Sequence, residues 1–159
     1  MKRIASFCVN HELLNPGLYV SRIDYVNDYP VTTFDMRVVK PNTDGILETD
    51  GVHAFEHLGA TYLRNSSWKD RIIYFGPMGC RTGFYLIISG DVKPTDIYEL
   101  MVDFINYVIN FEGKVPGASS KECGNYRDIN LEKAKEIALK YKKEVLDSFT
   151  QDKYNYPEN

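Results

Sequence analysis

The chain has 159 residues, 43% apolar and 13% aromatic, with a formal net charge of −3. That length suits one domain with a real core, and 1–159 is read as a single domain. The mild charge leaves no basic footprint for nucleic acid, and no apolar run approaches the roughly 20 residues of a membrane span. Residues 1–17 form an N-terminal arm ending in the turn signal Asn15-Pro16-Gly17. The arm starts Met1-Lys2-Arg3 but lacks the apolar stretch of a signal peptide, so a soluble cytoplasmic protein is expected. Leu18 to Val26 and Val31 to Val39 alternate as strands do, with Asn27 to Pro30 as the hairpin turn. Pro41-Asn42-Thr43-Asp44-Gly45 is a loop, and Thr49 or Asp50 then caps a helix running to about Asn65. Asp70 to Phe75 reads as a third strand, broken by Gly76-Pro77-Met78-Gly79, and Gly83 to Ser89 as a fourth. Thr95 is expected to cap a helix through about Phe111, with an apolar stripe from Ile97 to Phe111. Residues 113–129 make a long loop. Asn130 caps a last helix that turns Ala134, Ile137, Ala138, Tyr141, Val145 and Phe149 inward, and 152–159 is a polar tail expected to fray. The order β-β-α-β-β-α-α predicts an α+β fold: an antiparallel four-stranded sheet with helices packed on one face. The other face is left for a homodimer.

Chemistry concentrates on the first helix. His53-Ala54-Phe55-Glu56-His57 places two imidazoles four residues apart with a glutamate between them. Residues at i, i+3 and i+4 share a helix face, so both rings can reach one metal ion with the carboxylate beside it. This is the H-x-x-E-H pattern. Gly59 on the same helix costs about 1 kcal/mol against alanine and is expected to permit close packing. Glu56 suits a proton carrier better than a ligand, since both histidines already occupy that turn; the bland reading is a solvated helix glutamate.

A catalytic site of this type needs a third protein ligand and an open position. The three cysteines are Cys8, Cys80 and Cys123, an odd and widely spaced set that is no disulfide framework. Cys123 is the best third ligand. It lies in a loop of about 17 residues, longer than most connections in compact domains, and Gly124 after it allows close approach. Read alone, it is a small buried hydrophobe. Two imidazoles and a thiolate suit zinc, cobalt or ferrous iron rather than magnesium. Cys80 sits in a glycine-bracketed turn, Gly79-Cys80-Arg81-Thr82-Gly83, where Arg81 could favour a thiolate able to act as base or nucleophile. The plain alternative is a packed turn cysteine.

These stretches together resemble the S-ribosylhomocysteine lyase family, the LuxS or autoinducer-2 synthases. The matching residues are Ser6-Phe7 and His11, Thr33-Phe34-Asp35-Met36-Arg37, His53 to Leu58, Gly76-Pro77-Met78-Gly79-Cys80-Arg81-Thr82-Gly83-Phe84-Tyr85, Val115-Pro116-Gly117-Ala118 and Cys123-Gly124-Asn125-Tyr126. The resemblance implies a divalent metal on His53, His57 and Cys123, usually Fe2+, with Zn2+ or Co2+ able to substitute. It implies Glu56 and Cys80 as the acid/base pair, and Ser6, His11 and Arg37 lining the pocket for S-ribosylhomocysteine. It further implies a homodimer with two interfacial sites, the arm reaching across to the neighbour. The products would be homocysteine and 4,5-dihydroxy-2,3-pentanedione. Tyr74 and Ile129 depart from the family pattern, where an acidic residue and a histidine are common. Two rivals share some of these features. An inverted-zincin peptidase would take a glutamate such as Glu132 as third ligand, and a non-enzymatic module would close a structural metal with four protein ligands.

Overall fold

The computed structural model describes residues 2 and 4–157; the outermost positions of the expected arm and tail, residues 1, 3, 158 and 159, lie outside the described residues. The strands are β1 (Gly17–Val26), β2 (Tyr29–Arg37), β3 (Ile72–Pro77) and β4 (Gly83–Ser89). The helices are α1 (Thr49–Leu63), α2 (Tyr98–Ile109) and α3 (Leu131–Glu144). The sheet order is β1-β2-β4-β3 with every named neighbour antiparallel. The β1–β2 turn uses Asn27 and Asp28 at φ 48° and 65°. These are residue types that tolerate the left-handed region which a tight hairpin needs.

Alternate residues of the central strands, Phe34, Met36, Phe84, Leu86 and Ile88, enter the core with the helices. Phe55 of α1 sits 4.7 Å from Phe84 and 5.2 Å from Phe104 of α2, measured between ring centroids. Gly59 allows this approach: a Cβ there would lie 2.3 Å from the Phe75 ring. The close packing expected of that glycine is therefore present. The buried side of α1 is Val52, Ala54, Phe55, Leu58, Gly59 and Leu63, and this fixes the adjacent face carrying His53, Glu56 and His57, which stay half-buried.

Several boundaries differ from expectation. No side chain caps α1; Asp50 lies inside its first turn and bonds instead to Lys133 and Asn130 at the start of α3. A 3-10 turn, Pro94–Ile97, precedes α2, and Asp96 rather than Thr95 accepts a backbone N–H, from Lys93 at 2.8 Å. Asn130 does cap α3, accepting from the Lys133 N–H. That helix stops at Glu144, however, and a separate 3-10 turn, Leu146–Ser148, carries the chain toward Phe149. The described part of the tail docks against the start of β1. The Tyr156 ring stacks on Tyr19 at 4.7 Å, and the Tyr19 hydroxyl bonds to the carbonyls of Asn15 and Asp152. Gly17 makes room, since a Cβ there would stand 2.5 Å from both the Tyr19 ring and the Lys153 carbonyl oxygen. The helix-free face is thus covered at this end, over Asp35 and Arg37, which are each 3% exposed. Its remainder is less covered: Tyr74 of β3 pairs with Ile87 of β4 and is 44% exposed. No helix is long and apolar enough to cross a membrane among the described residues.

Candidate metal centre and acid/base pocket

Tertiary folding brings His53 and His57 of α1 together with Cys123 of the long loop, their ligand atoms all within 4.8 Å of one another. His53 Nδ1 lies 2.8 Å from the Asp128 carbonyl oxygen and His57 Nδ1 lies 2.7 Å from that of Pro116. A carbonyl only accepts, so each Nδ1 carries the proton and each Nε2 keeps its lone pair for a metal. Cys123 Sγ sits 3.4 Å from His53 Nε2 and accepts the Asn125 N–H at 3.4 Å. The donor set and its outer hydrogen bonds fit a divalent transition metal of borderline softness. The two carbonyls that orient the rings were not singled out from the sequence. A backbone carbonyl leaves no side-chain signature. Gly117 was the one available signal: its φ is +73°, and a Cβ there would come 3.0 Å from His57 Nδ1.

Glu56 is half-buried on α1 between the two histidines in sequence, and no hydrogen bond or ion pair engages its carboxylate among the described residues. Glu132, the ligand a peptidase would need, is 80% exposed and pairs at 3.8 Å with Lys135. It takes no part in the cluster of His53, His57 and Cys123.

The remaining predicted residues meet elsewhere. A cavity of about 640 Å³ is lined by Ser6 and His11 of the arm, Arg37 of β2, Cys80 of the β3–β4 turn, Tyr85 of β4 and Tyr156 of the tail, among others. His53, Glu56, His57 and Cys123 are not among the residues lining it. The arm therefore lines a cavity of its own chain. The guanidinium beside Cys80 is that of Arg37, with Nη1 4.0 Å from the sulfur, rather than that of its sequence neighbour Arg81. Arg37 is held by Asp35 through Nε to Oδ1 at 3.1 Å and Nη2 to Oδ2 at 2.6 Å, and its Nη1 donates to Thr82 Oγ1 at 2.5 Å. Burial alone would make the guanidinium easier to deprotonate; the Asp35 charge and hydrogen bonds outweigh this and raise its ionisation. Thr82 Oγ1 in turn lies 3.1 Å from Cys80 Sγ. Burial first, then the Asp35 charge, raises Tyr85 above the ordinary phenol range, so it remains a donor. The departing residues have packing explanations. Tyr74 folds its ring against Gly76, and Ile129 packs against the core.

A four-stranded α+β sheet, two histidines of one helix meeting a loop cysteine, and a separate cysteine–arginine pocket define the class: a small candidate metalloenzyme. Within that class, the family model described as S-Ribosylhomocysteinase (LuxS) matches residues 4–152, and the chain belongs to this family. It is 48% identical to the S-ribosylhomocysteine lyase of Clostridium acetobutylicum over 159 residues, covering 99% of this chain and 100% of the relative. Identity to the lyases of Finegoldia magna and Desulfotalea psychrophila is 49% and 51% over 158 residues, covering 99% of this chain and 100% and 99% of theirs.

Proposed function

We propose that this chain, acting as a single domain spanning 1–159, is a cytoplasmic S-ribosylhomocysteine lyase that yields homocysteine and 4,5-dihydroxy-2,3-pentanedione. That product is the precursor of the autoinducer-2 quorum-sensing signal, and homocysteine returns to the activated methyl cycle. The observation that carries the reading is the convergence of His53, His57 and Cys123, with both rings anchored through Nδ1, in a chain of this family. One divalent ion per chain, Fe2+ in the native enzyme with Zn2+ or Co2+ able to replace it, would supply Lewis-acid polarisation of the sugar carbonyl.

The residues divide the proton traffic. Cys80, with Arg37 beside it, removes the proton from C2 and returns one to C1, so the carbonyl moves from C1 to C2. A second exchange between C3 and C2 moves it to C3. Glu56 then takes the C4 proton, and the electron pair left on C4 forms the C4–C5 double bond as the C5–S bond breaks. Homocysteine leaves as its thiolate, and tautomerisation of the remaining enol gives the dione. Ser6, His11 and Arg37 bind the substrate in the cavity. His11 Nδ1 is committed to the Val9 carbonyl at 2.9 Å, which leaves Nε2 as an acceptor for a sugar hydroxyl.

The working unit in this proposal is a homodimer paired through the uncovered part of the sheet. Cys80 lines a cavity to which the metal ligands and Glu56 do not contribute, and pairing two copies would join these halves at the interface. The exposed Ile73 and Tyr74 of β3 supply apolar area for that contact.

The test is anaerobic incubation of metal-loaded protein with S-ribosylhomocysteine, with free thiol followed by a chromogenic disulfide. Thiol release is expected from wild type and not from Cys80→Ala that retains its metal. No release from metal-loaded wild type overturns the assignment.

A further inference from the structure

The polar tail was expected to fray, yet its Tyr156 is joined to Cys80 by an unbroken series of contacts. The Tyr156 hydroxyl donates to Asp35 Oδ2 at 2.9 Å. That same oxygen holds Arg37 Nη2, Arg37 Nη1 reaches Thr82, and both Arg37 and Thr82 face the Cys80 sulfur. Asp35 and Arg37 are nearly sealed from water, with side chains 4% exposed, so their charges are poorly screened. We propose that Tyr156 is a positioning residue for Cys80, setting through Asp35 how much of the Arg37 charge the Cys80 thiolate receives. The inference rests on the reading that Cys80 carries protons in the lyase reaction.

The direction follows from charge sharing. Arg37 lies between two anions, the Asp35 carboxylate and a Cys80 thiolate. A hydroxyl donated to Asp35 spreads that carboxylate's charge and weakens its hold on the guanidinium. Removing the hydroxyl concentrates the Asp35 charge, draws Arg37 toward it and leaves the thiolate less compensated. Tyr156 is a dependable donor, because burial first and then the Asp35 charge push its ionisation far above the ordinary phenol range. Other groups facing this corner are Tyr85 from β4 and His11 from the arm. Register explains how one tail residue reaches the pair. Tyr19, Asp35 and Tyr85 are direct cross-strand neighbours on β1, β2 and β4, and Tyr156 stacks on the first of them while bonding to the second.

Tyr156→Phe keeps the ring that stacks on Tyr19 and removes only the hydroxyl. In metal-loaded protein without substrate, iodoacetamide alkylation at pH 7, followed by mass spectrometry of the Cys80 peptide, is expected to slow about 3- to 10-fold, the range one hydrogen bond to a charged group can supply after attenuation through Arg37. In thiol-release assays kcat is expected to fall by a similar factor while KM moves less than about twofold. Tyr154→Phe, in the same segment but outside the cavity, is the control and is expected to match wild type in both. Wild-type alkylation or wild-type kcat in Tyr156→Phe overturns the inference. So does equal slowing in the control, which would mean the segment acts by packing alone. Alkylation needs no substrate, so it tests the relay separately from the lyase reading, which fails instead if wild type releases no thiol.

Discussion

A methyl group added at Gly117 would come within 3.0 Å of His57 Nδ1, the atom that holds the Pro116 carbonyl. The backbone there also has φ +73°, which an L side chain rarely adopts. Gly117→Ala is therefore expected to tilt the ring and lower metal affinity by about 10- to 100-fold, the usual cost of disturbing a group that orients a ligand. Competition with a chromogenic chelator checks this, and affinity equal to wild type would mean the carbonyl does not hold the ring. Cys123→Ala makes a sharper test, since it removes a ligand outright. Metal content is expected to fall from one equivalent to a small fraction, whereas full occupancy in that variant would favour a glutamate-ligated site of the peptidase kind.

At the level of elements, α1 presents its ligands correctly only if its buried side is seated. Gly59→Ala would press a Cβ against the Phe75 ring and is expected to destabilise the fold by about 1–3 kcal/mol, read from the denaturant midpoint at constant slope. The start of α1 is tied to the start of α3 by Asp50, which accepts from Lys133 Nζ at 3.0 Å and Asn130 Nδ2 at 3.2 Å; its backbone carbonyl takes the Asn130 N–H. This tie closes the loop that carries Cys123 and the Asp128 carbonyl. The Lys133 hydrogen bond first, then those of Asn130 and Gly51, hold the Asp50 carboxyl below its ordinary value of 3.8. A carboxyl depressed in the folded state contributes stability that is present above its unfolded pKa and lost as pH falls through the folded one. Wild type should therefore lose stability below about pH 4. Asp50→Asn should be less stable at neutral pH and show a shallower acid limb, measured by thermal midpoint against pH.

For the whole molecule, the prediction concerns the uncovered part of the sheet. Wild type is expected to sediment at about twice the chain mass. Ile87→Asp would place a carboxylate on the helix-free face beside Tyr74, and burying an unpaired charge in an apolar contact is costly. That variant is expected to sediment as a monomer, keep its metal and lose thiol release. A monomer with full activity would show that one chain completes the site unaided.

Local pattern was enough for much of this protein. Period-two alternation marked the first two strands, and i, i+3, i+4 spacing placed His53, Glu56 and His57 on one helical face, because neighbouring residues alone determine both. The Cys123 loop and the Cys80 turn stood out by length and glycine content. What local pattern does not contain is distance between remote segments. The two carbonyls behind the histidines, the cation beside Cys80 and the docking of Tyr156 join residues 43 to 121 positions apart, and no periodicity encodes such pairings. Arg81 was the natural partner for Cys80 by adjacency. Strand register placed Arg37 opposite Gly83 instead, where a Cβ would run into the Met36 carbonyl oxygen. The tail is polar by composition, but Gly17 opens a space that its backbone fills, and packing there outweighs the disorder its sequence suggests.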